Sequence, residues 1–424
     1  MSSELRRRGA LGLRFAFDPV IPGVRITEVL EGSAKFAGVR VGDVLLSGNA
    51  CRFDNELMFR SWAGDLRSGE KVYLYVSRPS GSEGTGPLEV VTLVCDVRER
   101  ERESSVAIMT LYTQATMRDG VRLRVIATTP VECAARGTIL WLPGFHRASC
   151  DWAATPDYPM RRWVEDCTRA GYAVVRLERR GLGDSEGDPL GDPGLEQELT
   201  DWIDAAKTMA EEVYAPRPWV AFGYSIGGLL APRLSEPLAL DALGVYGSGI
   251  DTWTEYLDAL TRRRMSIEGR SEVEIEQLVR AQQALSSLVI VGHHTVQQAL
   301  ESRDLLRDHA RILRANPQTN TIDGRSAAYW QEVYQCPTTG PLASLRAPLL
   351  AMWGQSDWVT SSAEHERIAA LAPKGRYVSV AQCDHGYATH HSMRESLMHH
   401  GAGPYQPAAA SAFTRWIADT ITRK

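Results

Sequence analysis

Short alternating runs of apolar and polar residues crowd the first hundred positions of the chain. Examples are GVRITEVL, DVLLSGN, KVYLYVSR and VVTLVCDV, separated by glycine, proline, asparagine and serine. Such alternation between turn residues is typical of β-strands with one buried face. The charged run RERERESS follows and indicates a solvated linker. We therefore predict a first domain over residues 1–100.

From residue 106 to residue 424, apolar runs alternate with segments of helical pattern. The runs are GTILWLPGF, YAVVRLER, WVAFGYS, ALGVYGS, PLLAMWG and RYVSVAQ. Strands that alternate with helices predict an α/β domain with a mostly parallel sheet and helices on both faces. Ahead of these runs, Asp119 and Gly120 separate two alternating strands, which predicts an antiparallel hairpin.

The strand series is interrupted at about residues 252–340 by a stretch of mainly helical pattern, such as TEYLDALTRRR. An insertion at the end of a strand predicts a helical lid. Aromatic residues stand at its two ends: Trp253, Tyr256, Tyr329, Trp330 and Tyr334. They fit either the core of the lid or a substrate pocket, and a pocket of this kind would take a bulky apolar acyl or aromatic group.

Composition narrows the class of protein. A chain of 424 residues suggests two domains, and 44% hydrophobic with 23% charged residues is typical of a soluble globular protein. The net charge of -5 gives no reason to expect a nucleic-acid partner. No apolar run approaches the roughly 18 residues of a membrane span. Arg14 interrupts the apolar stretch that follows the arginine-rich start, so this segment is interpreted as a strand rather than a signal sequence. Seven cysteines without paired spacing predict reduced thiols in the cytoplasm.

The segment VAFGYSIGGLL sets a serine between glycines where an apolar strand meets a helical pattern. Its residues 223–227 fit the G-x-S-x-G turn, in which small neighbours let strand and helix approach closely and push Ser225 Oγ into a pocket. The same letters also fit an ordinary glycine-rich turn. A serine nucleophile needs a general base that is oriented by a carboxylate.

Candidate partners follow the serine in chain order. Asp357 comes after the run PLLAMWG, and His385 comes after the next run, RYVSVAQ. Asp357 also fits a helix-capping role and His385 a structural one, while Asp251 in GSGID is a competing acid. Asp384 is excluded as the orienting acid because adjacent side chains point apart.

Acyl transfer also needs donors for the oxyanion, each worth about 2.7–4 kcal/mol. We predict the amide of Ile226, directly behind the serine, and the amide of Phe145, in the loop after TILWL. Gly144 permits close approach of that loop.

Residues from about 106 to the end resemble enzymes of the alpha/beta-hydrolase fold. The hairpin, LPGF, RRGLGDSEG, GYSIGG, GQSDWV and CDHG carry the resemblance, in this order. It implies a Ser-His-Asp hydrolase with Ser225, His385 and Asp357, and the leading hypothesis is cleavage of an ester or thioester through an acyl-enzyme. Many relatives have His-Gly where this chain has Pro143-Gly144.

No cofactor or metal is expected. GLGDSEG lacks the glycine spacing of a dinucleotide loop. The histidine pairs 293–294, 390–391 and 399–400 show no metal-ligand spacing, so we predict that they lie on the surface or in the lid.

Residues 11–97 resemble a PDZ domain. Leu11, Gly12 and Leu13 with Phe15 match the ligand loop. EGSAKFAGVRVGDVLLSGN matches a helix with the turn and strands after it, and NELMFRSWAGDLRSGEKVYLYVSR matches the second helix and the closing strand. The resemblance implies that a peptide or protein C-terminus adds to a sheet edge. Arg14 replaces a glycine of many relatives, and a purely structural module fits as well.

Two further functions stay open. The same triad serves an acyltransferase or a peptidase, and the PDZ-like part would serve an adaptor with a catalytically silent hydrolase domain. For the leading hypothesis, the partner is a small-molecule or carrier-bound acyl substrate. The sequence carries no signal for the oligomeric state.

Overall fold

The computed structural model of the chain describes residues 4–17, 23–49, 51–53, 56–78, 87–97 and 101–421. The start of the predicted linker, residues 98–100, lies outside these ranges. Separate apolar cores form beneath the N-terminal sheet, on the two faces of a larger sheet, and inside the helical insertion. No helix within the described ranges is long and apolar enough to cross a bilayer.

Within the described ranges, the N-terminal unit contains a six-stranded sheet, a separate two-stranded sheet and two helices. Its strands are β1 (Gly9–Ala10), β2 (Leu13–Phe17), β3 (Val24–Val29), β4 (Val44–Gly48), β5 (Cys51–Arg52), β6 (Lys71–Ser77), β7 (Leu88–Val94) and β8 (Asp96–Val97), and its helices are α1 (Ser33–Phe36) and α2 (Glu56–Asp65). The strand order is β2-β3-β4-β6-β7, with β5 on β4, while β1 pairs with β8. Alternate residues of β6 are buried, as the sequence pattern requires. The PDZ-like assignment and the predicted domain limits stay predictions.

A hairpin begins the large sheet. Strands β9 (Ile108–Thr116) and β10 (Arg122–Pro130) pair antiparallel, and Thr116 faces Arg122 across the turn. Gly120 has φ 85°, a left-handed conformation that glycine adopts without strain. The hairpin predicted around Asp119 and Gly120 is therefore confirmed.

Alternating strands and helices follow, as predicted. They are β11 (Thr138–Leu142), α3 (Pro159–Arg169), β12 (Ala173–Leu177), α4 (Leu195–Met209), β13 (Trp219–Tyr224), α5 (Gly227–Leu234) and β14 (Ala242–Tyr246). Every residue of β11, β12, β13 and β14 is buried. Continuous apolar strands of this kind are covered on both faces, which is why periodicity within them was absent from the sequence.

The insertion after β14 is mainly helical, as predicted. It contains α6 (Trp253–Glu268), α7 (Glu272–Leu285), a π-helix (Ser286–Val291), α8 (Val296–Ser302), α9 (Asp304–His309), α10 (Ala327–Gln335) and α11 (Thr339–Ala343). Three very short strands, which the sequence analysis did not predict, form a small sheet before α10: β15 (Ala315–Asn316), β16 (Thr321–Ile322) and β17 (Arg325–Ser326). The role of this insertion as a lid stays a prediction.

The chain then returns to the large sheet with β18 (Leu349–Gly354), α12 (Ser362–Leu371), β19 (Gly375–Val380), α13 (Met393–Met398) and α14 (Ala408–Ile421). The eight strands are ordered β19-β18-β14-β13-β11-β12-β10-β9. The chain moves from β11 to β12 on one side and then to β13 on the other. A crevice forms at such a reversal, outside the carboxyl ends of the strands, and ligands of open α/β sheets bind there.

Candidate active site

Ser225 occupies a strained turn between β13 and α5. Its φ is 53°, an unfavourable value for a residue with a side chain. Its amide donates to the Tyr246 carbonyl at 2.8 Å, and its carbonyl accepts from Ser248 Oγ at 2.8 Å and from the Gly228 amide at 2.9 Å. These bonds hold the strained backbone in one conformation.

Glycines on either side of Ser225 are required by close packing. A Cβ atom on Gly223 would lie 2.5 Å from the carbonyl oxygen of Gly227, and one on Gly227 would lie 2.4 Å from the carbonyl oxygen of Leu142. Any side chain at these positions would force the strand and the helix apart. The close approach expected from the sequence is present in the structure.

Asp357 and His385 form a hydrogen-bonded pair beyond the ends of β18 and β19. His385 Nδ1 lies 2.9 Å from Asp357 Oδ2. The aspartate is fully buried, and it also accepts from the Val359 amide at 2.7 Å and from Thr360 Oγ1 at 2.7 Å. With Nδ1 as the donor to the carboxylate, Nε2 is left as the basic nitrogen of a neutral ring.

The end of β14 brings this pair next to the serine turn. Ser225 is bonded to the last residue of β14, and a Cβ atom on the following Gly247 would lie 2.7 Å from His385 Cε1. The ring of Tyr224 lies 5.2 Å from the His385 ring, measured between centroids. The predicted nucleophile and the predicted base therefore border the same strand end.

The pKa values of the pair move in opposite directions. Burial would raise the pKa of the Asp357 carboxyl, but the charge and hydrogen bond of His385, with the bonds from Thr360, hold this pKa below its usual value. Burial would lower the pKa of His385, but the charge and hydrogen bond of Asp357 raise it above the ordinary 6.5. Each group thus stabilises the charged form of the other.

The other two acids near the site have different partners. Asp251 pairs with Arg367 at 2.5 Å. Asp384 accepts from the Gly386 amide at 2.9 Å and the Ala388 amide at 2.8 Å, which orders the loop that carries His385. Of these three acids, Asp357 is the one that is hydrogen-bonded to His385.

The loop after β11 lies against the serine turn. A Cβ atom on Gly144 would lie 3.3 Å from Ser225 Cβ. Arg179 donates to the carbonyls of Gly144 and His146, and Arg325 donates to the carbonyl of Phe145 at 2.6 Å. These two arginines fix the loop through its carbonyl groups.

Two amides beside Ser225 have no acceptor in the part of the chain that the structure describes. Within the described ranges, neither the Phe145 amide nor the Ile226 amide donates a hydrogen bond to another protein group. Backbone N–H groups in protein interiors are nearly always paired. Two unpaired amides next to a serine can donate to a negative oxygen on a substrate.

Aromatic rings connect the insertion to the loop after β11. Trp253 stacks on Trp330 with centroids 4.6 Å apart, and Tyr256 stacks on Trp253 at 5.0 Å. The centroids of the Trp330 and Phe145 rings are 5.4 Å apart. Tyr329 is fully buried beneath Arg325, whose guanidinium lies 3.3 Å from the centre of its ring, and it belongs to the apolar cluster between the insertion and helices α4 and α5.

The residues of the predicted peptide loop lead into an edge strand. Gly12 has φ 68°, and its carbonyl accepts from the Leu30 amide at 2.8 Å. Leu11 is buried, and Leu13 begins β2, which pairs only with β3 among the described residues. The ring of Phe15 on β2 contacts the ring of Phe59 on α2, with centroids 4.6 Å apart.

Sequence reasoning missed a histidine that supports the serine turn. His365 is fully buried on α12; its Nε2 accepts from the Ser248 amide at 3.1 Å, and Nδ1 lies 2.8 Å from the Ser361 carbonyl. Burial lowers its pKa to about 4, so the ring is neutral. No local signal in the sequence identified it, because Ser248 and His365 meet only through the fold.

The surface prediction for the histidine pairs is wrong for His390. This side chain is 2% exposed, and its ring lies beside Gly403, where an added Cβ atom would be 3.1 Å from it, and beside the His399 ring, with centroids 5.9 Å apart. His391, His399 and His400 are exposed, as are both members of the pair at 293–294. Sequence reasoning also overlooked the four-residue spacing of Glu395 and His399. This spacing places the two side chains on the same face of a helix.

The comparison with protein families identifies the fold. Residues 139–387 match the family model for the alpha/beta hydrolase fold. The comparison with curated proteins gives no match.

Among solved structures, the esterase domain of a Rhodothermus marinus protein is 16% identical over 73% of this chain and 98% of its own, with a TM-score of 0.43. Est1E from Butyrivibrio proteoclasticus, solved with ferulic acid, is 14% identical over 74% and 99%, with a TM-score of 0.46. A thermophilic esterase from Thermogutta terrifontis is 16% identical over 74% and 99%, with a TM-score of 0.42. Since the family match alone spans more than half of the chain, the protein belongs to the alpha/beta-hydrolase fold family.

Proposed function

We propose that the protein is a serine hydrolase that cleaves a carboxylic ester or thioester through an acyl-enzyme. The observation that carries this proposal is the 2.9 Å hydrogen bond between His385 and the buried Asp357, beside a serine with φ 53°. Strained backbone at a functional site persists only where surrounding contacts enforce it. Here three hydrogen bonds, with Tyr246, Ser248 and Gly228, hold the turn.

The reaction proceeds in two halves. Ser225 Oγ attacks the substrate carbonyl while His385 Nε2 takes its proton, and the imidazolium formed is stabilised by Asp357. The proton then passes to the leaving alcohol or thiol as the carbonyl re-forms and the bond to the leaving group breaks. In the second half, water replaces Ser225 by the same route and releases the acid.

The negative oxygen of each tetrahedral intermediate accepts from the amides of Phe145 and Ile226. Removing one such donor from an enzyme typically costs about 10²–10³-fold in kcat. The carbonyl bonds from Arg179 and Arg325 support this role, because they hold the loop before substrate arrives. Positioned donors need no reorganisation during the reaction.

The stacked rings support a substrate with an apolar acyl or aromatic part. A series of ring contacts begins at Phe145, whose amide is the predicted oxyanion donor, and extends into the insertion through Trp330, Trp253 and Tyr256. A small molecule or the exposed end of a carrier-bound acyl chain would contact these rings.

A fluorophosphonate probe tests the nucleophile. We expect labelling of the natural protein and of Ser235→Ala, a matched serine at the other end of α5, and none of Ser225→Ala. In a screen of aryl esters, alkyl esters and acyl thioesters of graded length, Ser225→Ala should lose at least about 10³-fold in kcat. Equal labelling of both serine variants would refute the proposal. Adding amine acceptors and peptide substrates distinguishes hydrolysis from acyl transfer and peptide cleavage.

We propose a second activity for the N-terminal unit, the binding of a peptide C-terminus. The edge position of β2 and the left-handed Gly12 at its start support strand addition. Fluorescence anisotropy with a C-terminal peptide library should give binders whose affinity is lost on C-terminal amidation. Binding that is indifferent to amidation, or absent throughout, would leave the unit as a structural module.

We also propose a cytoplasmic location. All seven cysteines are free, which is the state favoured by a reducing compartment. Fractionation of cells that express the native gene should recover the protein with cytoplasmic markers.

A further inference from the structure

Three potential metal ligands converge beside the loop that carries His385. They are His390 at the end of that loop, Glu395 on α13, and His399 directly after α13. One ligand atom from each side chain lies within 4.8 Å of the other two. Glu395 and His399 are one helical turn apart and therefore share a face. The His391 amide donates to Glu395 Oε2 at 2.6 Å, which fixes the carboxylate.

His390 provides a second and independent observation. The side chain is 2% exposed, and neither ring nitrogen has a hydrogen-bond partner among the described residues. The nearest charged group is Asp384, whose Oδ2 lies 3.5 Å from Nε2. Leaving a buried polar group unsatisfied destabilises the fold, so such a group requires an explanation. A metal ion would accept the lone pair of this ring.

We propose that His390, Glu395 and His399 bind a divalent transition-metal ion of the Zn²⁺ class. Two imidazoles and one carboxylate form a ligand set that Zn²⁺ accepts at tetrahedral sites, with a fourth position left for water. The exposed His399 gives the ion a path from solvent. The carboxylates of Glu395 and the neighbouring Asp384 balance the positive charge of the ion.

The position of the site indicates a structural role for the ion. The His390 amide donates to the Gln382 carbonyl at 3.0 Å and so closes the loop that carries His385. Ser396 on α13 donates to Asp384 Oδ2 at 2.9 Å in the same loop. An ion held by His390 on the loop and by Glu395 and His399 on the helix segment would join these two parts of the chain. The inference does not depend on the proposed esterase or thioesterase activity.

Metal binding by the full-length protein without a polyhistidine tag tests the proposal. We expect isothermal titration with Zn²⁺ to give one site per chain, and Co²⁺ to give the visible absorption bands of a tetrahedral complex. Glu395→Gln and His399→Ala should each weaken Zn²⁺ binding at least about 10-fold, which is typical of losing one metal ligand or its support. His400→Ala, an exposed neighbour outside the cluster, is the matched control and should bind as the natural protein does.

Circular dichroism of each variant separates loss of a ligand from loss of the fold. The exposed His399 makes the most informative variant, because its removal leaves the buried packing intact. Thermal unfolding should shift upward with Zn²⁺ in the natural protein and in His400→Ala, and by less in His399→Ala at the same Zn²⁺ concentration. Absence of a stoichiometric site in the natural protein, or equal affinity in His399→Ala and His400→Ala, would overturn the proposal.

Discussion

Among single residues, the Asp357–His385 pair determines how activity should depend on pH. The imidazole must be neutral to accept a proton, and its pKa is raised above 6.5 by Asp357. We therefore expect kcat/KM to rise with pH through a pKa above 6.5. Asp357→Asn should lower kcat about 10⁴-fold, as loss of the orienting carboxylate does in serine proteases, and should move the acid limb to lower pH. Steady-state rates across the pH range measure both effects.

Asp251→Asn is the matched control for this prediction. It removes a carboxylate of the competing position, whose partner is Arg367 rather than His385. We expect its pH profile to coincide with that of the natural protein. If Asp251→Asn shifts the acid limb and Asp357→Asn does not, the assignment of the acid is wrong.

His365 should make stability depend on pH with a definite sign. Burial lowers its pKa in the folded state to about 4, below the ordinary 6.5, so the unfolded chain binds the proton more tightly. The free energy of unfolding should fall as the pH is lowered from 6.5 towards 4, by up to roughly 3 kcal/mol. His365→Gln should be less stable at pH 7. The number of protons taken up on unfolding, which sets the slope of stability with pH, should fall by up to one in this variant. Urea unfolding at a series of pH values measures the slope.

The exposed His400 supplies the comparison for that experiment. His400→Gln should leave the stability at pH 7 unchanged to within about 0.5 kcal/mol, because this side chain lies exposed on the surface. An unchanged slope in His365→Gln would contradict a neutral, buried ring at this position.

Among secondary-structure elements, the first turn of α6 should influence substrate preference. Trp253 begins this helix and stacks on Trp330. Burying one aromatic group on a substrate contributes about 1.5–3 kcal/mol. Trp253→Ala should therefore lower kcat/KM about 10–100-fold for aryl and long-chain esters, with acetyl esters much less affected. Trp253→Phe retains a stacking ring and should retain the preference, so equal losses for short and long substrates would contradict a binding role.

Elements that depend on neighbouring residues could be predicted from the sequence. Gly120 identified the hairpin because the left-handed conformation of a turn residue depends only on its immediate neighbours. The strand before Ser225 was recognisable because a close turn between strand and helix needs glycines. The parallel strands were recognisable as apolar runs. Chain order then allowed Asp357 and His385 to be assigned to strand ends.

Elements that arise from distant contacts could not be predicted. The strands β15, β16 and β17 have only two residues each, too few to show a period of alternation. His390 belongs to a polar, histidine-rich segment, and its ring is buried against Gly403 and His399, which lie later in the chain. Likewise, the support that His365 gives to Ser248 joins α12 to the end of β14 and leaves no trace in either local pattern.

In the whole molecule, arginines of the N-terminal unit bind the glycine-rich loop after β12. Arg8 donates to the Gly183 carbonyl at 3.1 Å and to the Ser185 carbonyl at 2.6 Å. Arg67 donates to the Asp184 carbonyl at 2.7 Å. Asp184 also pairs with the buried Arg124 of β10 at 3.1 Å. The contact between the two parts of the chain is therefore polar and continues into a buried ion network.

Removing Arg8 should weaken this contact. The side chain is 3% exposed, and burial lowers its pKa to about 10, so the guanidinium stays charged at neutral pH. Loss of one partner from a buried charged network typically costs about 3–5 kcal/mol, because the remaining groups are left without their donors. We expect Arg8→Ala to lower the free energy of unfolding by that amount in guanidinium denaturation.

Arg14→Ala is the control, because it removes only an exposed pair with Glu28. It should change the free energy of unfolding by less than about 1 kcal/mol. Equal stability of the two variants would mean that the N-terminal unit contributes no folding energy through Arg8.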